Sequence, residues 1–277
     1  MAVVVFSLLA ASCQSEYRMA NSYLKNARKG KLEHGEAVYV RMPEQFILVN
    51  SSVEKMKEGR ALTEQQAQHM ADSLTALLRY VDDSVLLSRF STSMLQVLVR
   101  SGIPVHVVKS GSKLPVPSDS SLVLDVVQLE AEEFLQPKRS DFVTKQEVYY
   151  AYDYNLRHIS CNVWLKMGSA TESLDSVWFK NVEKSEAFKG KVTSIKDDKA
   201  TMSVHFDRLT VDDVYRTVEE AGELCATIYV ERLLLDYIKR KTGGNENYYY
   251  YDAATGQINM WIPYSYGQSE GFIGCGK

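Results

Sequence analysis

Alternating apolar and polar side chains in the segment from Tyr149 to Met167 constrain the fold of this chain more than any other feature. One set of alternate positions in its second half is apolar and the other is mostly polar: Ile159, Cys161, Val163, Leu165 and Met167 against His158, Ser160, Asn162, Trp164 and Lys166. Because successive side chains of a β-strand point to opposite faces, this period of two predicts a long strand with one buried face. Residues 168–175 predict a turn, and residues 176–180 predict the antiparallel partner of the strand.

The chain before this hairpin alternates between short strands and helices. Apolar runs predict strands at 37–40, 46–49, 104–108 and 122–129, and the last of these is expected to be covered on both faces. Thr63 and Gln66 form a capping-box pattern that begins a helix, and the acidic pair at 82–83 is expected to end it. A second predicted helix, 90–100, closes at Gly102.

The chain after the hairpin predicts a second hairpin, a long helix and a tail. The second hairpin comprises 191–195 and 201–206, and the helix runs from Thr210, with Asp213 in its first turn, to Lys241. In the tail, 243–277, the runs 248–251 and 257–262 flank a turn at 252–256 and predict a small hairpin. The expected fold class is therefore α/β, a sandwich of a mixed β-sheet with helices, with a long central hairpin, a long C-terminal helix and a small aromatic hairpin tail.

The first thirteen residues carry the pattern of a secretion signal. The apolar run from Ala2 to Ala11 is shorter than the roughly 20 residues that span a bilayer, but it has the length of a signal-peptide core. It ends in small residues before Cys13 and resembles the lipobox of bacterial lipoproteins, represented here by Leu9, Ala10, Ala11 and Ser12. Two features depart from the pattern: Leu9 stands one residue further from the cysteine, and no Lys or Arg precedes the apolar run. The alternative is that residues 3–9 form a first core strand and Cys13 is a buried thiol.

The lipobox resemblance implies a location for the mature protein. Residues 1–12 would be removed as a signal peptide, and Cys13 would carry acyl chains such as palmitate, of which two or more anchor a protein stably. Gln14, in place of Asp, implies the outer membrane, and the lack of an acidic cluster after Cys13 implies a periplasm-facing domain. Residues 13–36 are then a lipidated tether with some helical tendency, 37–242 the α/β domain and 243–277 the Tyr-rich tail.

The order of elements is similar to that of a family of periplasmic lipoproteins. This family includes curli-secretion, penicillin-binding-protein-activator and transport-auxiliary lipoproteins and the N-terminal domain of TolB. The similarity rests on Cys13, the α/β order, the strand 122–129 and the hairpin 159–180, and it extends over residues 37–241. It is a similarity of architecture without a motif, and segments 182–206 and 243–277 depart from it.

Net charge and residue spacing argue against several classes of chemistry. The formal net charge is −3 and the longest basic run is 239–241, so nothing favours nucleic acid as a partner. The histidines are far apart, no phosphate-binding glycine loop or nucleophile elbow occurs, and no catalytic, metal or cofactor site is expected. The acidic pairs 82–83, 132–133 and 212–213 could act as paired carboxylates, but helix-terminal capping is the simpler role for the first and last. Cys161 and Cys225 are expected to be buried thiols.

Aromatic residues are the remaining candidates for a functional surface. The chain has 17 Tyr, concentrated in the long hairpin and the tail. Tyr and Trp are enriched at interfaces because they bury area and keep a polar end. The candidate partner contacts are Trp164, Trp178, Tyr248, Tyr249, Tyr250, Tyr251 and Trp261. Packing of these hairpins against the domain, and stacking on sugars, are the alternatives.

Together these features predict a membrane-anchored cell-envelope lipoprotein that acts as a non-enzymatic binding or assembly module. Its expected partners are the lipid bilayer, reached through the acyl chains, and an envelope protein, while the sequence leaves the oligomeric state open. The alternatives are an envelope hydrolase that acts on cell-wall material and a subunit of a secretion or transport assembly.

Overall fold

A computed structural model describes most of the chain after the N-terminal segment. The described residues are 16–31, 37–52, 63, 65–66, 69, 75–110, 112, 121–143, 149–169, 176–196, 199–243, 249–260 and 273–275. The predicted signal peptide, its lipobox Leu9 to Ser12, and Cys13 lie outside these residues, as do Tyr248 and Trp261.

A mixed sheet of seven strands forms the centre of the fold. Its strands are β1 (Ala37–Arg41), β2 (Ile47–Asn50), β3 (Val105–Val108), β4 (Ser121–Val143), β5 (Tyr149–Ser169), β6 (Val177–Ser185) and β11 (Ile273–Cys275). The order across the sheet is β11-β6-β5-β4-β1-β3, with β2 also paired to β4. The pairs that involve β1 and β2 are parallel, and β4, β5, β6 and β11 pair antiparallel. The predicted α/β class, mixed sheet and central hairpin are confirmed.

Strand β4 is much longer than the predicted run 122–129. It pairs with β5 along its whole length, from Leu122 opposite Ser169 to Val143 opposite Tyr149. The part of β4 after residue 129 was not predicted, because Pro137 and the charged residues around it interrupt the alternation of apolar and polar residues. The outer part of the β4–β5 hairpin therefore projects as an arm from the sheet.

A second ribbon packs on this arm through aromatic rings. The ribbon consists of β7 (Ala187–Lys196) and β8 (Lys199–Asp207), which form the predicted hairpin. The ring of Phe188 stacks on Tyr154 at 4.0 Å between centroids and on Tyr152 at 5.5 Å, and Phe206 lies 5.3 Å from Phe188. Tyrosines of the long hairpin therefore serve to pack the two ribbons together.

The main described helices are α1 (16–28), α2 (Asp83–Ser101) and α3 (Val211–Thr242), and α3 packs on β5 and β6. They share one apolar core with Ile159, Cys161, Val163 and Leu165 of β5, so the predicted buried face of β5 is confirmed. Cys161 and Cys225 are fully buried in it, and burial raises the pKa of the Cys225 thiol to about 12. Both thiols are inert packing groups, as the sequence predicted.

Side chains fix where α2 and α3 begin. Asp82 was expected to end the preceding helix. Its Oδ1 instead accepts the N–H of Ser84 at 2.8 Å and caps the N-terminus of α2. Helix α2 therefore starts earlier than the predicted residue 90. Thr210 and Asp213 form the predicted capping box of α3. A hydrogen bond from Lys184 Nζ, 2.7 Å from Asp213 Oδ1, lowers the pKa of that carboxyl to about 2.

The helix predicted to begin at Thr63 is present only in part among the described residues. Its capping box forms, since the N–H of Thr63 donates to Gln66 Oε1 at 3.0 Å and the N–H of Gln66 donates to Thr63 Oγ1 at 3.3 Å. Its predicted end is different, because Leu78–Tyr80 is a 3-10 turn.

The segment 16–28 is a docked helix, which corrects the prediction that all of 13–36 is a tether. Ala20, Tyr23, Leu24 and Ala27 of α1 are buried in the main core. Gly102, which follows the last residue of α2, has φ 84° and contacts the end of α1. A Cβ at this position would lie 2.3 Å from Cγ of Arg28. Only glycine allows this contact, so the end of α2 holds α1 closely.

The tail hairpin, β9 (Tyr249–Asp252) and β10 (Gln257–Met260), is also part of the domain. Tyr249, Tyr251 and Ile258 are buried in the main core. Arg28 donates to the carbonyl of Gly256, and Glu231 Oε1 accepts the N–H of Tyr251 at 2.9 Å. These contacts connect the tail to both α1 and α3.

The half-buried carboxyl of Glu231 gives a pH-dependent test of this attachment. Burial raises its pKa above the ordinary value, so ionisation destabilises the folded state as pH rises through that raised value. Glu231→Gln keeps an acceptor for Tyr251 and removes the ionisation. We expect the free energy of unfolding of this variant to equal that of wild type at about pH 4 and to exceed it at about pH 7. Urea unfolding at the two pH values measures the difference.

Glu223→Gln provides the matched control, because Glu223 is exposed on the same helix. This exposed substitution should change the free energy of unfolding by less than about 0.5 kcal/mol. An E231Q protein that is less stable than wild type at neutral pH would contradict the assigned penalty.

Candidate functional site

The sheet face that points away from the core shared with α1, α2 and α3 carries an ordered set of polar side chains, and we call it the helix-free face because none of these three helices lies on it. Strand pairing places them in rows across β4, β5 and β6: Glu130 opposite Asn162 opposite Asn181, and Glu132 opposite Ser160 opposite Glu183. We call these six residues the polar array. Its side chains lie on the same face because they occupy alternate positions of each strand.

Hydrogen bonds connect the polar array across the strands. Asn162 Nδ2 donates to Glu130 Oε1 at 3.0 Å and to Glu132 Oε2 at 3.3 Å, while its Oδ1 accepts from Asn181 Nδ2 at 2.7 Å. Ser160 Oγ donates to Glu132 Oε2 at 3.4 Å. Asn162 and Ser160 are buried within this network, which therefore fixes the carboxylates in place.

Rings lie at both ends of the polar array. On one side of the array, next to the row of Asn162, Trp164 lies beside Phe179 with ring centroids 5.1 Å apart. On the other side, next to the row of Ser160, Phe134 stacks on His158 at 4.9 Å. Trp164 and His158 are six residues apart on one strand, which corresponds to about 20 Å. The helix-free face is thus a polar strip with an aromatic contact at each end.

The polar array is acidic and keeps unused acceptors. Its rows and the two flanking rows contain three Glu and no Lys or Arg. An ionised carboxylate can accept about four hydrogen bonds, and Glu130 and Glu132 use only a part of that capacity in the contacts above. The face is therefore suited to bind groups that donate hydrogen bonds or carry positive charge.

His158 lies in the row that follows the polar array and is hydrogen-bonded to Glu183. Its Nδ1 lies 2.5 Å from Glu183 Oε1, and its Nε2 has no hydrogen-bond partner within the described part of the chain. The nearby hydroxyl of Ser160 bonds to Glu132 instead, so these residues do not form the nucleophile–base pair that covalent catalysis uses.

Among the predicted partner-contact aromatics that the structure describes, Trp164 lies on the helix-free face, where it is half-buried. Trp178 lies on the opposite face under the guanidinium of Arg232, whose Cζ is 4.5 Å from the ring centroid. The prediction is wrong for Tyr249 and Tyr251, each 2% exposed, because period two in β9 points them into the core. Tyr250 points outward and is 43% exposed.

The acidic pair Glu132–Glu133 is not a pair of neighbouring carboxylates. Adjacent strand residues point to opposite faces, so Glu132 belongs to the polar array and Glu133 is fully buried on the other side. The sequence contained the signal for the array, since the polar positions of the alternating strand are its central column. Its neighbours on β4 and β6 could not be assigned without the register.

No described helix combines the length and apolarity that crossing a bilayer requires. No three His, Cys, Asp or Glu side chains in the described ranges converge in a way suited to a metal ion.

Comparison with known proteins gives no family assignment. No family model matches the chain, and no curated protein matches it. Among solved structures, the chain is similar to a crystal structure from Helicobacter pylori described as a neuraminyllactose-binding hemagglutinin homolog. The identity is 12%, the match covers 74% of this chain and 89% of that chain, and the TM-score is 0.33. Such a TM-score does not establish a common fold, so function is argued from the residues of this chain.

Proposed function

We propose that this chain is a membrane-anchored cell-envelope lipoprotein that acts as a non-enzymatic binding module through its helix-free face. The observation that carries the binding role is the polar array with an aromatic contact at each end. Fixed carboxylates beside a half-buried Trp combine directional acceptors with apolar area, and Trp is enriched at protein interfaces and among their hot spots.

The partner that fits this face is an envelope protein with a basic or donor-rich segment. Its cations or amides would bind Glu130 and Glu132, and an apolar side chain would cover Trp164. Because the array itself is negatively charged, an anionic ligand would be repelled. The partner is therefore expected to bind less tightly as salt concentration rises.

Trp164→Ala tests the binding face, and Trp178→Ala is its matched control. The two Trp residues are on neighbouring strands of one sheet but on opposite faces. If Trp164 is an interface hot spot, its removal costs about 2 kcal/mol, or roughly a 30-fold loss of binding. We expect crosslinking in native membranes, followed by purification, to recover the partner with the W178A protein and to lose it with the W164A protein. Equal recovery with both variants would contradict the proposed face.

The anchoring role rests on the lipobox-like segment and is tested at Cys13. Cys13→Ala removes the thiol that would accept the acyl chains, and two or more chains hold a protein at the bilayer stably. We expect the variant to leave the membrane fraction after a high-salt wash, which screens electrostatic attraction, and the wild type to remain there. Mass spectrometry of the wild type should show an N-terminal acylated cysteine. An unprocessed N-terminus with a bare thiol would contradict the lipoprotein assignment.

Anchoring supports binding by raising concentration near a membrane partner. Because α1 is docked on the core from residue 16 onward, the segment between Cys13 and the folded domain is much shorter than the predicted tether 13–36. The domain is thus held beside the bilayer with a limited range of orientations.

A further inference from the structure

We propose that the solvent-facing side of α1 is a second binding surface, which contacts anionic lipid headgroups and orients the domain on the bilayer. This inference rests on the proposed lipid anchor at Cys13, since the anchor places α1 next to a membrane. It concerns a surface separate from the helix-free face.

Helix α1 has one apolar side and one cationic side. The apolar side packs into the core, and the exposed positions include Arg18, Lys25, Arg28 and Lys29. The single acidic residue between 16 and 31, Glu16, is buried. The outer side of this helix therefore presents positive charge without an exposed carboxylate of its own.

The cations of α1 differ in what they contact. Arg28 is engaged in structure, because it donates to the carbonyls of Gly256 and Arg100. Arg18, Lys25 and Lys29 form no ion pair within the described ranges, whereas other cations such as Lys184 and Lys189 each bind a carboxylate at 2.7 Å. These three side chains remain available for an external anion.

Two neighbouring features extend this surface. A cleft of about 480 Å³ lies between α1 and the tail hairpin, lined by Tyr17, Asn21, Lys25, Lys29 and Gln257 among others. Its hydroxyl, amide and ammonium donors suit a phosphate group. The basic end of α3 also lies beside α1, since Lys241 is 5.8 Å from the ring of Tyr237, which contacts Tyr23 at 4.7 Å.

The position of α1 in the chain brings this surface to the bilayer. The described part of the helix starts at residue 16, three residues after Cys13, and three residues span at most about 11 Å. Basic residues that close to an anionic leaflet are attracted by its negative surface potential. The whole chain carries a formal charge of −3, so attraction to such a leaflet requires a local basic surface of this kind.

Vesicle binding of the full chain with Cys13→Ala tests the proposal apart from acylation. Partition is measured on vesicles of phosphatidylglycerol with phosphatidylcholine and on vesicles of phosphatidylcholine alone, and the ratio of the two is the readout. Any contribution of the apolar segment 2–11 is common to both vesicles. We expect a ratio above one that falls about fivefold for each cation removed, so about 25-fold for Lys25→Gln with Lys29→Gln.

Lys191→Gln with Lys196→Gln is the matched control, because both lysines are exposed on the β7–β8 ribbon and the charge change is the same. The proposal is supported if the ratio falls for the α1 pair and not for the ribbon pair. It is overturned if the two pairs behave alike, if the ratio is one, or if inorganic phosphate abolishes binding at matched ionic strength, which would indicate a site for a soluble anion. Mass spectrometry of the wild type reports acylation separately, so failure of the anchor and failure of this surface are distinguishable.

Discussion

Replacing Glu133 by alanine is expected to destabilise the protein by about 3–5 kcal/mol, the cost of breaking a buried ion pair by removing one partner. Glu133 is fully buried and accepts the N–H groups of Ala76 at 3.0 Å, Leu77 at 3.1 Å and Leu78 at 3.0 Å. It also pairs with the guanidinium of Arg157. The substitution leaves these three donors and a largely buried cation without their carboxylate.

Urea unfolding compares this variant with two others. Asp141→Ala removes the exposed Arg139–Asp141 pair and should cost less than about 1 kcal/mol. Arg157→Met should cost less than E133A, because Glu133 keeps its backbone donors. If E133A cost no more than the surface variant, the carboxylate would not hold the 3-10 turn as described.

The same residue illustrates what sequence reasoning could not provide. A lone Glu–Glu dipeptide in a charged stretch gives no indication that one member is buried. Its role depends on the 3-10 turn at Leu78–Tyr80, more than 50 positions earlier in the chain, and on Arg157 of the next strand. Long-range partners of this kind leave no local pattern.

Local patterns did predict elements whose signals are complete within a few residues. Period two predicted β5, and the capping box at Thr210 predicted the start of α3. The sequence of α1 also shows apolar residues at helical spacing, at Ala20, Tyr23, Leu24 and Ala27. Such spacing predicts that one face of the helix is buried, but it does not predict which element covers that face. The docking of α1 needed Gly102 and the tail turn, which are distant in sequence.

Only part of the candidate site could be predicted from the sequence, because the rest depends on residues that are distant in the chain. The polar positions Ser160 and Asn162 were evident as one side of a strand, whereas their meaning depends on Glu130, Glu132 and Asn181 from two other strands. The tail tyrosines were predicted to contact a partner because a high density of aromatic residues is typical of interfaces. In the structure, Tyr249 and Tyr251 fill the core instead. Composition identifies interface-forming residue types, and only the fold assigns their direction.

Gly222→Ala is expected to destabilise the protein by about 1–3 kcal/mol, although alanine favours a helix by about 1 kcal/mol over glycine. Gly222 is buried where α3 crosses α2, and a Cβ there would lie 2.5 Å from the carbonyl oxygen of Phe90 and 3.3 Å from the nitrogen of Met94. Since both contacts are backbone atoms, no side-chain rotation can relieve them and the helices must separate. The separation would loosen packing throughout the core that supports the sheet.

The sign of this effect discriminates between packing and propensity. Glu223→Ala, at the next and exposed position of α3, changes propensity without a close contact and should stay within about 0.5 kcal/mol of wild type. Urea unfolding of both variants provides the comparison. A G222A protein more stable than wild type would mean that α2 and α3 do not approach as closely as described.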